Sequence, residues 1–214
     1  MEQGAGKEPG TPRAFDQLAP RDAVERAETA LEQHGINVIF VRNGKAARSK
    51  VLSIIPEGSS VMNMTSMTLS AIGLDKEINE SGRFDSIRNK LNNMDRSFQN
   101  DEMQMLGAGP PWAIGSVHAV TETGSVMLAS RTGSQLSAYA NGATHVVWVA
   151  GTQKIVRDQE EGFRRINEYC LPHEDARARK AYGTESEVNK VLIVFKEHQA
   201  GRITLVLVNE CLGF

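Results

Sequence analysis

Thr121-Glu122-Thr123-Gly124 sets a carboxylate between two hydroxyls and ahead of a glycine. In such a turn the backbone approaches a ligand closely, and hydroxyls and amide hydrogens hold a phosphate, a carboxylate or an oxyanion. Glu122 serves there as base or nucleophile where burial or a neighbour tunes it. Composition alone equally permits an ordinary strand turn. Glu210 follows a strongly apolar run; if it faced Glu122 across a cleft, repulsion would raise one pKa and create an acid/base pair. Lys154 follows another apolar run and suits an anionic ligand, a solvated turn lysine being the alternative. Asn63, Thr65 and Ser66 precede a helix, where they either cap it or leave amide hydrogens for a phosphate.

Other chemistries lack residues. The chain has two cysteines, Cys170 and Cys211, outside any paired motif, whereas a zinc or iron–sulfur site held by one chain needs three or four soft ligands. Both are expected to be buried thiols. No His-x-His or His-Glu-x-x-His arrangement occurs, so no metal is assigned, and no cofactor; a divalent ion would have to gather His118, Glu122 and Glu210 from distant stretches. With 24 basic and 26 acidic side chains the net charge is −2, which gives no field to attract nucleic acid. No apolar stretch nears the roughly 18 to 20 residues that span a bilayer, so no membrane span is expected. The reading is of a cytoplasmic protein.

The elements that would position these groups follow from periodicity. Residues 1–19 read as a flexible tail and 20–214 as one domain of the 214 residues. Val24, Ala27 and Leu31 stripe a helix over Arg21–His34, Ile36–Val41 reads as a strand, and Ala47, Val51 and Ile54 stripe a second helix. Ser60–Met64 reads as a strand and Leu69 and Ile72 as helical. Phe84, Ile87, Leu91, Met94 and Phe98 repeat at helical spacing and predict one long helix across a sheet. Ala113–Ser130 predicts a strand pair with an elbow at Thr121–Gly124, Thr144–Ala150 a strong strand, and Asp158–Cys170 a helix with Phe163, Ile166 and Cys170 inward. His173–Asn189 is left unassigned, and Lys190–Phe195 with Ile203–Val208 reads as a hairpin. Alternating strands and helices, with this antiparallel close, predict a three-layer α/β domain, a mixed sheet with helices on both faces.

Four stretches, in order, carry a resemblance: Gly58–Ser66, the run Ala119–Leu128 around Glu122-Thr123-Gly124, Gly151–Val156 with its Lys-Ile-Val, and the closing Leu205–Phe214. Together they resemble the LUD domain family of lactate-utilisation proteins over most of residues 20–214. The resemblance implies the NagB/RpiA/CoA transferase-like fold, shared by sugar-phosphate isomerases, deaminases and coenzyme A transferases, with ligands at loops after the strands. Glu122-Thr123-Gly124 is also similar to the short glutamate motif of coenzyme A transferases.

What the resemblance implies for function is a small-molecule-binding or catalytic subunit in carboxylate metabolism. It would act beside iron–sulfur partner proteins in oxidising L-lactate to pyruvate, because two cysteines cannot carry the clusters. The expected ligand is an anionic small molecule, carboxylate or phosphate. Glu122 and Glu210 are the candidate catalytic groups; Asn63, Thr65, Ser66, Thr121, Thr123, Gly124 and Lys154 are the candidate binding groups. The alternatives are a non-catalytic regulatory or assembly subunit, and an acyl or coenzyme A transferase using Glu122. A homodimer is expected only from the frequency of twofold oligomers.

Overall fold

Runs such as Ile203–Val208, ITLVLV, with every residue buried, cannot serve a sheet that faces water on one side. They build a central parallel sheet. A computed structural model describes residues 14–214. In chain order it contains α1 (Arg21–Gln33), β1 (Asn37–Val41), α2 (Gly44–Ile54), β2 (Ser60–Asn63), α3 (Met67–Ala71), α4 (Leu74–Glu80), β3 (Asp85–Ser86), α5 (Ile87–Asn92), α6 (Arg96–Ala108), β4 (Trp112–Gly115), β5 (Ala119–Thr121) and β6 (Val126–Ser130). A π-helical turn, Ala138–Gly142, precedes β7 (His145–Gly151), β8 (Ile155–Val156) and α7 (Gln159–Arg165). A second π turn, Ile166–Cys170, leads into α8 (Leu171–Tyr182), and β9 (Lys190–Val194) and β10 (Ile203–Val208) close the chain.

Six strands run parallel in the order β1-β10-β7-β4-β2-β3. Alternate residues of β7 and β10 point to opposite faces. Val146, Trp148, Ala150, Leu205 and Leu207 pack on one side with Val24, Ala27 and Leu31 of α1. Val147, Val149, Val206 and Val208 pack on the other with Ala47 and Val51 of α2. Each fully buried aliphatic side chain contributes roughly 1.5–3 kcal/mol, so both faces must be covered. The result is an α/β fold with a mainly parallel sheet flanked by helices. A smaller sheet, β8-β5-β6-β9, stands beside it.

Several expectations change. The expected hairpin is absent: β9 pairs antiparallel with β6 in the small sheet, while β10 lies between β1 and β7 in the large one. Burial on both faces gives the two runs different destinations. The Phe84–Phe98 periodicity is not one helix. Ser86 accepts a hydrogen bond from the Asn89 N–H and starts α5, and Asp95 accepts from Ser97 and starts α6; Phe84 is buried in the core and Phe98 is 87% exposed. Phe163 is exposed, and the inward residues of that segment are Glu161, Gly162, Arg165, Ile166 and Cys170. The unassigned charged stretch is largely α8. Of the expected tail, residues 1–13 lie outside the described residues; within 14–19, Phe15 packs against a small cluster with Ile166 and Ala19 is buried.

Candidate functional site

The carboxyl ends of three adjacent strands supply a common floor. Ser116 follows β4, Met64–Ser66 follow β2, and Lys154 closes the short turn after β7. Above them opens a cavity of about 1000 Å³, walled by α6, one side of α8 from Leu171 to Tyr182, and Arg88 of α5. Crevices beyond the carboxyl ends of parallel strands are where such sheets bind ligands.

Lys154 is 1% exposed. Its Nζ donates to Thr68 Oγ1 at 3.1 Å, Ser116 Oγ at 3.0 Å and the Val117 carbonyl at 3.0 Å. Burial, reinforced by the Arg165 guanidinium, brings its amine down to about 7, with Cys170 opposing. Thr68 gives its own hydroxyl proton to the Leu212 carbonyl at 3.0 Å, and Ser116 donates to Thr68 at 3.1 Å.

Two further groups set the field. The His118 Nδ1 accepts from the Ala129 N–H at 3.1 Å, which leaves the ring proton on Nε2. Burial, with Lys154 and Arg165 adding, lowers this imidazole to about 3. Arg165 is fully buried; Nη1 reaches the His118 carbonyl and, at 2.9 Å, the Cys170 thiol. The wider π turn brings these side chains, five residues apart, together. Burial pushes the Cys170 thiol up. Arg88 lines the cavity and donates to the Asn63 carbonyl at 2.9 Å; among the described residues no carboxylate pairs with it.

Gly115 is needed beneath this floor. A Cβ there would lie 1.8 Å from the Tyr139 hydroxyl. Tyr139 sits on the other π turn with its ring edge-on to Trp148 at 5.5 Å.

The candidate residues from the sequence divide. Thr65, Ser66 and Lys154 line the cavity. Asn63 is buried beneath it and offers its backbone carbonyl to Arg88. Thr121, Glu122, Thr123 and Gly124 do not line it. Their turn is satisfied internally: Thr121 Oγ1 accepts from the Ser125 N–H at 2.9 Å, the Glu122 N–H bonds the Val156 carbonyl, and the Gly124 N–H bonds the Thr121 carbonyl. Glu122 forms an ion pair with Arg26 of α1 at 2.7 Å.

Glu210 instead accepts from the Gly44 N–H at the start of α2, at 2.7 Å. Because α1 and α2 cover opposite faces of the large sheet, the expected Glu122–Glu210 acid/base pair does not form. His118 lies in the cavity, apart from both. The described residues hold no cluster of three or more His, Cys, Asp or Glu suited to a metal ion. Cys211 is exposed, with its thiol on the Asp16 carbonyl at 3.1 Å, and not buried as expected. Among the described residues no helix is long and apolar enough to cross a membrane.

Sequence reasoning missed Thr68, Arg88 and Arg165. It placed Ser116 within the predicted strand pair Ala113–Ser130 without singling it out. The available signal was positional: Ser116 follows a strand that pairs with β2 and β7, but that pairing is not visible in one strand's sequence.

A search among curated proteins gives no match. Among solved structures the chain resembles a DUF162 family protein from Deinococcus radiodurans, with a TM-score of 0.55, 11% identity, and coverage of 90% of this chain and 99% of that one. At that identity the likeness concerns the fold. The sequence model of the LUD domain matches residues 24–208. That span runs from the first helix to the end of β10 and includes Thr68, Arg88, Ser116, Lys154 and Arg165, and so the chain belongs to the LUD domain family.

Proposed function

We propose that this chain binds an anionic small molecule in the cavity above Lys154 and acts in carboxylate metabolism, in association with oxidation of L-lactate to pyruvate by iron–sulfur partner proteins. The observation that carries the binding reading is Arg88, a permanent cation on the cavity wall without a carboxylate partner. Thr65 and Ser66 add polar groups at the rim and Lys154 a titrating amine at the floor. Family membership supports the metabolic context. The iron–sulfur clusters are assigned to partners because Cys170 is buried and Cys211 exposed at a different place.

A second reading has one observation behind it. Helix α6 buries no residue and exposes Phe98 and Met105, as expected of an assembly subunit whose partner covers that helix. Thermal unfolding with L-lactate, pyruvate, sugar phosphates and acyl-coenzyme A compounds tests the first reading. An anion that binds the native state raises the melting temperature in a concentration-dependent way, and Arg88→Gln should remove that rise. No stabilisation by any of these anions refutes it.

A further inference from the structure

The hydroxyl proton of Ser116 has a defined destination. When Lys154 is an ammonium, its three N–H groups meet three acceptors: Thr68 Oγ1, Ser116 Oγ and the Val117 carbonyl. When it is a neutral amine, two N–H groups and a lone pair remain. The Val117 carbonyl can only accept. Thr68 has committed its proton to the Leu212 carbonyl and so also accepts. The lone pair is therefore left for Ser116, whose O–H, given to Thr68 Oγ1 at 3.1 Å, turns to the amine once an N–H of Lys154 supplies Thr68 instead. Ser116 is half-buried and lines the cavity, so its Oγ meets the ligand space while Lys154 stays beneath.

Resting on the reading that the cavity binds an anionic small molecule, we propose that Ser116 is a nucleophile and Lys154 its general base, a pair that cleaves an anionic acyl ester or thioester by way of an acyl-serine. As the Ser116 Oγ–acyl carbon bond forms, the hydroxyl proton passes to the Lys154 amine. The tetrahedral intermediate then expels the alcohol or thiol, which takes that proton as the old acyl bond breaks. Water, the co-reactant, attacks the acyl-serine and gives a proton to Lys154; as the Ser116 Oγ–acyl bond breaks, Oγ takes that proton back and the carboxylic acid is released. An adjacent base is what a serine hydroxyl requires to react at neutral pH.

Neighbouring groups leave Lys154 free to set the pH dependence. His118 stays neutral far below neutrality, the Cys170 thiol is held protonated by burial, and Arg165 keeps its charge. Lys154 alone among these changes charge near pH 7. A cavity of about 1000 Å³ is at the upper end of the roughly 300–1,000 Å³ of small-molecule sites, which suits an acyl group with its carrier better than lactate alone.

The experiment uses a neutral alkyl fluorophosphonate, which phosphonylates an activated serine with loss of fluoride, on the full chain followed by intact mass and peptide mapping. The expected result is one adduct, on Ser116, forming about tenfold faster at pH 8 than at pH 6 as the amine deprotonates. It is lost in Ser116→Ala and in Lys154→Met. Folded wild-type protein that takes no label on Ser116 at pH 8, or a rate flat across that range, overturns the proposal even if Lys154→Met fails to fold. Because the probe is uncharged, the two readings separate. Stabilisation by carboxylates without labelling removes the serine–lysine pair alone, and labelling without stabilisation by any anion removes the claim that the acyl substrate is anionic.

Discussion

Arg165 Nη1 lies 2.9 Å from the Cys170 thiol, so a guanidinium without exposed surface is sealed behind the cavity floor next to Lys154. Its Nε and Nη2 have no hydrogen-bond partner among the described residues. A buried cation without a carboxylate costs stability, and its field presses on the nearest titrating group. Arg165 contributes to the lowering of both Lys154 and His118. It is a positioning residue, acting through the charge state of Lys154.

Replacing Arg165 with Met should therefore raise the proton affinity of Lys154. The midpoint of Ser116 labelling moves to higher pH by about one unit, while the plateau rate at high pH changes little. A loss of labelling at every pH in folded Arg165→Met protein would show a role in shaping the floor instead. An unmoved midpoint would show that desolvation alone sets the amine.

Acid stability tests the His118 environment. The folded ring takes up a proton only near pH 3, whereas an unfolded histidine does so near pH 6.5. Between those values the unfolded chain binds more protons, so native stability falls as pH drops through this window. From pH 7.5 to pH 5 the loss from this group is at most about 2 kcal/mol, less to the extent that the ring's exposed edge is hydrated. Lys154 acts elsewhere, adding stability as pH rises from about 7 toward its ordinary value of 10.5. In His118→Asn, which keeps an acceptor for the Ala129 N–H, urea unfolding should show a shallower loss over the acidic window. A slope equal to wild type would mean that the ring is protonated in the fold.

How far the sequence carried the reading depends on whether a residue's role is local. Helix α1 was legible because Val24, Ala27 and Leu31 repeat at the helical period and all are buried. Lys154, Thr65 and Ser66 were legible as groups beside strand ends, and they do line the cavity. Pairing was not legible: Lys190–Val194 and Ile203–Val208 are near in sequence and both β-forming, yet they join different sheets. The same limit hid Ser116 and Arg165, which matter through residues about 40 and 50 positions away. Periodicity also misled where polar caps intervened, as Ser86 and Asp95 do inside the Phe84–Phe98 pattern.

The Thr121–Gly124 turn offers a contrast between substitutions at Gly124 and at Glu122. Gly124 has φ +84° and a Cβ there would lie 2.7 Å from the Ala30 backbone of α1, while its carbonyl meets His34 Nδ1 at 2.8 Å. The turn is thus pressed against α1 at the one residue that tolerates the conformation. Gly124→Ala should destabilise the fold by at least about 2 kcal/mol, a fall in melting temperature of about 4–8 °C for a chain of this size. Glu122→Gln keeps the shape of the side chain and leaves one oxygen for Arg26, an exposed partner whose ion pair is screened by water. It should melt close to wild type and label at Ser116 at the wild-type rate. A Glu122→Gln protein that folds but no longer labels would restore the carboxylate as a functional group and would require the turn to reach the cavity in solution. A Gly124→Ala protein as stable as wild type would mean that the turn does not rest on α1 at all.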